Sequence, residues 1–129
     1  MTRKVQIPTI CKIKDTNEII GGFNPMDWYS APAPGTYSKT RRSFIFSLNL
    51  KDLNKSVFSK VIDDKHAIFQ HRDFGPSFGL NKGDLKLYSM NNKLCSCSKV
   101  SYEKKIRKVI TEFALEEYEV WKVVTVAAS

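Results

Sequence analysis

Apolar residues along the chain recur mostly at period two and in short bursts. Thr9 to Lys14 (TICKIK) sets Ile10, Lys12 and Lys14 against Thr9, Cys11 and Ile13, a partial alternation that predicts a strand. Asp84 to Tyr88 alternates cleanly, with Leu85 and Leu87 on one side. Glu117 to Val126 begins with strict alternation: Tyr118, Val120 and Lys122 share one face, Trp121 and Val123 the other. Ser43 to Leu48 (SFIFSL) is rich in β-formers and nearly all apolar, which predicts a strand buried on both faces. Ser56 to Ile62 and His66 to Gln70 flank Asp63-Asp64-Lys65, the pattern of a β-hairpin. Leu94 to Tyr102 alternates less cleanly. A single segment has helical spacing. Ile106, Val109, Ile110 and Phe113 fall at i, i+3, i+4 and i+7, with Ser101 placed to cap the start and Glu103 in the first turn. Ala31 to Gly35 (APAPG) must be a loop, because two prolines and a glycine suit neither a helix nor a central strand.

The expected fold class is therefore mainly β with minor α: an antiparallel β-sandwich flanked by short helices. Length and composition agree. The 129 residues fit one domain, and 42% hydrophobic with 26% charged residues is a globular balance, not a disordered one. No apolar stretch is long enough to span a membrane, and MTRKVQIPTICKIKD lacks the apolar run of a signal peptide. Three cysteines are too few for a disulfide scaffold, which points to a reducing, intracellular and cytoplasmic setting.

The formal charge of +8 invites a nucleic-acid or acidic-membrane partner, but its distribution does not. Each third of the chain carries seven bases, against three, five and five acids, so no basic face is marked out. Only Lys39 to Arg42 (KTRR) and Lys104 to Lys108 (KKIRK) are locally dense, and the simplest reading of both is solvated surface. The aromatics do not interleave with bases as an RNA-stacking sheet requires, so no specific nucleic acid is expected.

Catalytic and metal chemistry find little support. Cys95-Ser96-Cys97 has one intervening residue where zinc pairs favour two to four, and no second pair exists, so no metal is expected. His66 and His71 flank a strand without a nucleophile elbow or a cysteine partner in a known signature. Gly21-Gly22 and Gly75-Pro76-Ser77-Phe78-Gly79 lack the lysine and helix onset of a phosphate loop and read as backbone constraints. Glu117 and Glu119 would share a strand face, which is unfavourable unless a cation or partner faces them.

In order along the chain stand Asn17-Glu-Ile-Ile-Gly-Gly-Phe-Asn-Pro-Met-Asp-Trp28, Ser43-Phe-Ile-Phe-Ser47, Ala67-Ile68, Gly75-Pro-Ser-Phe-Gly79, Gly83-Asp-Leu85, Ser96 to Tyr102 and Glu116-Glu-Tyr-Glu-Val-Trp121. This series resembles the TLDc domain of oxidation-resistance and BTB-containing proteins, best from about residue 7 to 124 of a single domain over 1–129. The resemblance implies a sandwich of antiparallel sheets with flanking helices. It implies a non-enzymatic interaction domain without a cofactor, in oxidative-stress protection or regulation of the vacuolar-type proton ATPase, with a protein partner. Gly21, Gly22, Asn24, Pro25 and Trp28 match its first block. Gly75, Pro76, Ser77, Phe78, Gly79, Gly83 and Asp84 match its second. These are expected to be mainly architectural, whereas Glu117 and Glu119 match acidic positions that suggest a partner contact. The helical stripe departs from the family, falling at a variable loop, and the resemblance leads to the expectation that this chain lacks the family's opening helix and strands. Two other readings stay open: a thiol-based peroxide scavenger using Cys95, Cys97 or His71, and a weak anion or membrane-surface binder using Lys104 to Lys108.

Overall fold

A computed structural model describes residues 2–5, 9–26, 28–72, 74–88, 95–108, 115–119 and 124–127. Eleven strands are defined among them: β1 (Thr2–Val5), β2 (Thr9–Ile13), β3 (Glu18–Phe23), β4 (Thr36–Ser38), β5 (Phe44–Asn49), β6 (Val57–Lys60), β7 (Ile68–Gln70), β8 (Phe74–Phe78), β9 (Leu85–Tyr88), β10 (Leu115–Glu119) and β11 (Val124–Ala127). One antiparallel sheet has the order β10-β2-β3-β5-β6, a second the order β4-β7-β8-β9, and β1 pairs with β11.

The alternation in β2 is real: Thr9, Cys11 and Ile13 are buried, while Ile10 is exposed. Cys11 and Ile13, with Ile20 of β3 and Ile45 of β5, supply one wall of the core. Ile68, Phe78, Leu85 and Leu87 of the second sheet supply the other, and Tyr102 and Ile106 close over it. Two antiparallel sheets sharing one apolar interior make the expected sandwich.

Four expectations need correction. The flanking helices are reduced, among the described residues, to 3-10 turns at Leu53–Lys55, Asp64–His66 and Leu80–Lys82. The helix expected from Ser101 does not form through Lys108, and Val109, Ile110 and Phe113 lie outside the described residues. Its first residues are taken by tertiary bonds. The N–H groups of Ser101 and Tyr102 donate to Asp84, Tyr102 bridges to Val61, and Ile106 is 3% exposed as an isolated core anchor. The hairpin expected around Asp63-Asp64-Lys65 is instead a crossover, because β6 pairs with β5 in the first sheet and β7 joins the second. Lastly, β5 is fully buried on one face only. Ile45 and Ser47 point inward, whereas Phe44 and Phe46 are half-buried beside an exposed Leu48.

The edge of β6 is covered by the segment 101–104, in which Glu103 makes two bonds to Lys60. Glu103 donates its N–H to the Lys60 carbonyl at 2.9 Å, and its carboxylate accepts the Lys60 N–H at 3.2 Å. The APAPG segment is a loop as expected, tied down by Gly35 N–H to the Pro32 carbonyl and Arg72 N–H to the Ala31 carbonyl.

Candidate functional site

The two glycine blocks meet in the core. Gly21 and Gly22 are adjacent in β3 and face opposite ways. A Cβ on Gly22 would come within 2.6 Å of the Phe78 ring across the interior, and one on Gly21 would meet the Thr9 carbonyl and the Phe46 ring. Neither has a positive φ. Their glycine requirement is close approach rather than unusual backbone. Asn24 is 7% exposed and its Oδ1 accepts the Met26 N–H at 2.8 Å, which fixes the Asn24-Pro25 turn. Its Nδ2 is buried without a hydrogen-bond partner among the described residues. Trp28 then packs edge-on against Phe78, with ring centroids 5.5 Å apart.

In the second block, Gly75-Pro76 sits at the irregularity where the β8–β9 register shifts between Phe74 and Ser77. A bulge is where a proline is tolerated inside a sheet. Ser77 is buried and donates back to the Gly75 carbonyl. Gly79 has φ +96°, the region in which side chains are strained. Asp84 is wholly buried, and its carboxylate accepts three consecutive backbone N–H groups: Val100 at 2.9 Å, Ser101 at 2.7 Å and Tyr102 at 2.9 Å. Burial raises the Asp84 carboxyl above its ordinary value, opposed by those three bonds and by the Lys99 charge. Gly83 lies against Val100, so the same block abuts the segment that Asp84 holds.

Tyr102 completes this anchor. Its buried hydroxyl donates to the Ala67 carbonyl at 2.7 Å and lies 2.6 Å from Ser43 Oγ, which touches the Phe23 carbonyl at 2.9 Å. Burial raises its phenol further from ionisation. Ser101 Oγ accepts the Leu80 N–H at 3.0 Å. Sequence reasoning missed these roles of Ser101 and Tyr102. The available signal was their place within the Ser96 to Tyr102 block, not any local pattern.

The three cysteines belong to the apolar core. Cys11, Cys95 and Cys97 are buried and form no disulfide. Burial, reinforced by Cys95, pushes the Cys11 thiol up. Burial is also the main cause that pushes Cys97 up, to about 11. Such thiols are protonated and shielded near neutral pH, the opposite of a reactive cysteine. His66 Nδ1 lies 2.7 Å from Asp63 Oδ2, and His71 packs among Phe69 and Phe74. Ser101 reaches Asp63, not the imidazole, so no nucleophile–base pair is formed there. Among the described residues no three His, Cys, Asp or Glu side chains gather in a metal-holding group.

Glu117 and Glu119 lie on β10, an edge strand of the five-stranded sheet. The register sets Glu117 opposite Lys12 and Glu119 opposite Ile10. A cation thus stands across from the first of the two acids. The sequence alone leaves that partner undetermined, since Lys12 is more than a hundred residues away.

The fold and these anchors define an all-β sandwich module whose signature glycines and aspartate serve its architecture. The family model of the TLDc domain matches residues 1–124, and the chain belongs to the TLDc family. No curated protein and no solved structure matches the chain. No helix among the described residues is long and apolar enough to cross a membrane.

Proposed function

We propose that this chain is a non-enzymatic interaction domain acting in oxidative-stress protection through regulation of the vacuolar-type proton ATPase. Membership of the TLDc family carries the reading. It is supported by the position of Glu117 and Glu119 on β10, an edge strand of the five-stranded sheet, the kind of edge to which a partner strand can add. It is supported further by the buried, protonated thiols of Cys11 and Cys97. The test is co-sedimentation of the purified chain with the peripheral sector of the ATPase. Wild-type protein is expected to associate at micromolar concentration. Glu117→Lys combined with Glu119→Lys is expected to weaken association with the melting temperature unchanged. Wild-type protein that stays in the supernatant throughout that range removes the reading.

A further inference from the structure

The two basic clusters of the sequence have different fates. In the first, Lys39 and Arg41 both lie against Asp64, with nitrogen–oxygen distances of 3.9 and 3.3 Å. The second becomes part of a cavity. Where β3 begins and β5 ends, residues 105–108 border a cleft of about 500 Å3 whose charged lining is Lys55, Lys105, Arg107, Lys108 and Glu18. Lys55 is distant in sequence from the others, so the fold brings these cations together.

The one acid in the cleft is already neutralised. Arg107 Nε donates to both Glu18 oxygens at 3.2 Å, and Ser47 Oγ donates to Oε1 at 2.8 Å. Arg107 and Glu18 are 15% and 24% exposed, so this pair is a fixed wall rather than a surface contact. Lys55, Lys105 and Lys108 make no ion pair with any described residue. Three unneutralised ammonium groups around one concavity repel one another, and an anion reverses the sign of that interaction. The volume is that of a small-molecule site. Lysines are mobile point charges that suit phosphate oxygens, whereas planar carboxylates favour the bidentate fork of an arginine, and Arg107 is engaged with Glu18.

We propose that this cleft binds a compact polyanion carrying two or more phosphate groups, held by Lys55, Lys105 and Lys108 above the Arg107–Glu18 wall. The proposal goes beyond the ATPase reading and does not depend on it. Two sources share this chemistry: a free polyphosphorylated small molecule and a phosphorylated lipid headgroup.

The test uses the full chain in two arms, each at low and physiological salt. One is calorimetric titration with pyrophosphate and with inositol hexakisphosphate. The other is co-flotation with phosphatidylcholine vesicles with and without phosphatidylinositol bisphosphate. We expect binding that persists at physiological salt and a loss of about tenfold or more in affinity for Lys105→Gln/Lys108→Gln. Lys55→Gln tests the cleft independently, because Lys55 is exposed and far in sequence from the basic run. Lys39→Gln/Lys65→Gln removes the same charge elsewhere and should leave affinity unchanged. Binding in the first arm identifies a free ligand as sufficient, and binding only to the doped vesicles assigns the site to a headgroup. Absence of binding in both arms, or equal weakening by the control and cleft variants, overturns the proposal.

Discussion

Gly79 and Asp84 are in direct opposition: a Cβ on Gly79 would fall on Asp84 Oδ1, the oxygen that accepts the Ser101 N–H. The last glycine of the Gly-Pro-Ser-Phe-Gly block is therefore needed twice, for its φ of +96° and for the carboxylate beside it. Gly79→Ala is expected to destabilise by on the order of 3 kcal/mol, combining strained backbone with a displaced clamp. Asp84→Asn should cost about 1–3 kcal/mol, because an amide nitrogen replaces one of the oxygens facing three N–H donors. The two losses should not add, since both break the same contact. Urea unfolding of the two single variants and the double variant measures this, and full additivity would separate the residues.

Gly22 behaves differently. Its backbone is ordinary, so the expected cost of Gly22→Ala, about 1–3 kcal/mol, comes from crowding against the Phe78 ring. Shortening the ring should relieve it: Phe78→Leu should be less harmful in the Gly22→Ala background than in wild type. A double-mutant cycle by chemical denaturation gives the coupling, and zero coupling would show that the methyl finds space elsewhere.

Tyr102→Phe retains the buried ring and removes the hydroxyl from the Ala67 carbonyl and Ser43. The expected loss is about 1–2 kcal/mol. Ser43→Ala should then cost little more in that background than the bond to the Phe23 carbonyl is worth. Equal stability of Tyr102→Phe and wild type would mean that the hydroxyl contributes nothing net.

The three thiols should resist a disulfide reagent at pH 8 in the native state and react stoichiometrically once denaturant is added. Cys97 has a folded value raised from 9.0 to about 11, chiefly by burial. A raised thiol value contributes stability fully present below the unfolded value, so this part is intact below about pH 9 and is lost as pH rises through about 11. Cys11 and Tyr102 shift in the same direction. Thermal melts at increasing alkalinity should therefore show a falling midpoint in that window. Rapid native labelling at pH 8 would contradict the burial of these sulfurs.

Strands with a local signature were legible in the sequence. The alternation of Leu85 and Leu87, the run around Ile45 and the pattern of Cys11 and Ile13 all mark true strands. The strand at Glu18–Phe23 was hidden because its inward positions include glycine, chosen for the ring it faces and not for its own propensity. Ile106 misled by spacing. It is buried through contacts made by a loop, and no period describes a loop. The pairing of β6 and β7 with different sheets was equally invisible, because turn residues report a reversal without saying which sheet the chain enters. The signature glycines and Asp84 were found by resemblance, yet their shared purpose required coordinates. The salt bridge from Glu18 to Arg107 joins residues with no common local pattern, and the cleft above it follows from that long-range pairing.

Glu103 imitates a neighbouring strand at one position, giving an N–H and taking one, and so occupies the docking register that a foreign β-strand would use at Lys60. Its carboxylate serves as a molecular full stop. Glu103→Ala would retain the backbone half and lose the side-chain half, leaving the Lys60 amide as an unsatisfied invitation beside the exposed ring of Phe58. The property at risk is then colloidal rather than conformational: the same folded molecule would acquire a tendency to polymerise, set by protein concentration and by nothing in its own stability.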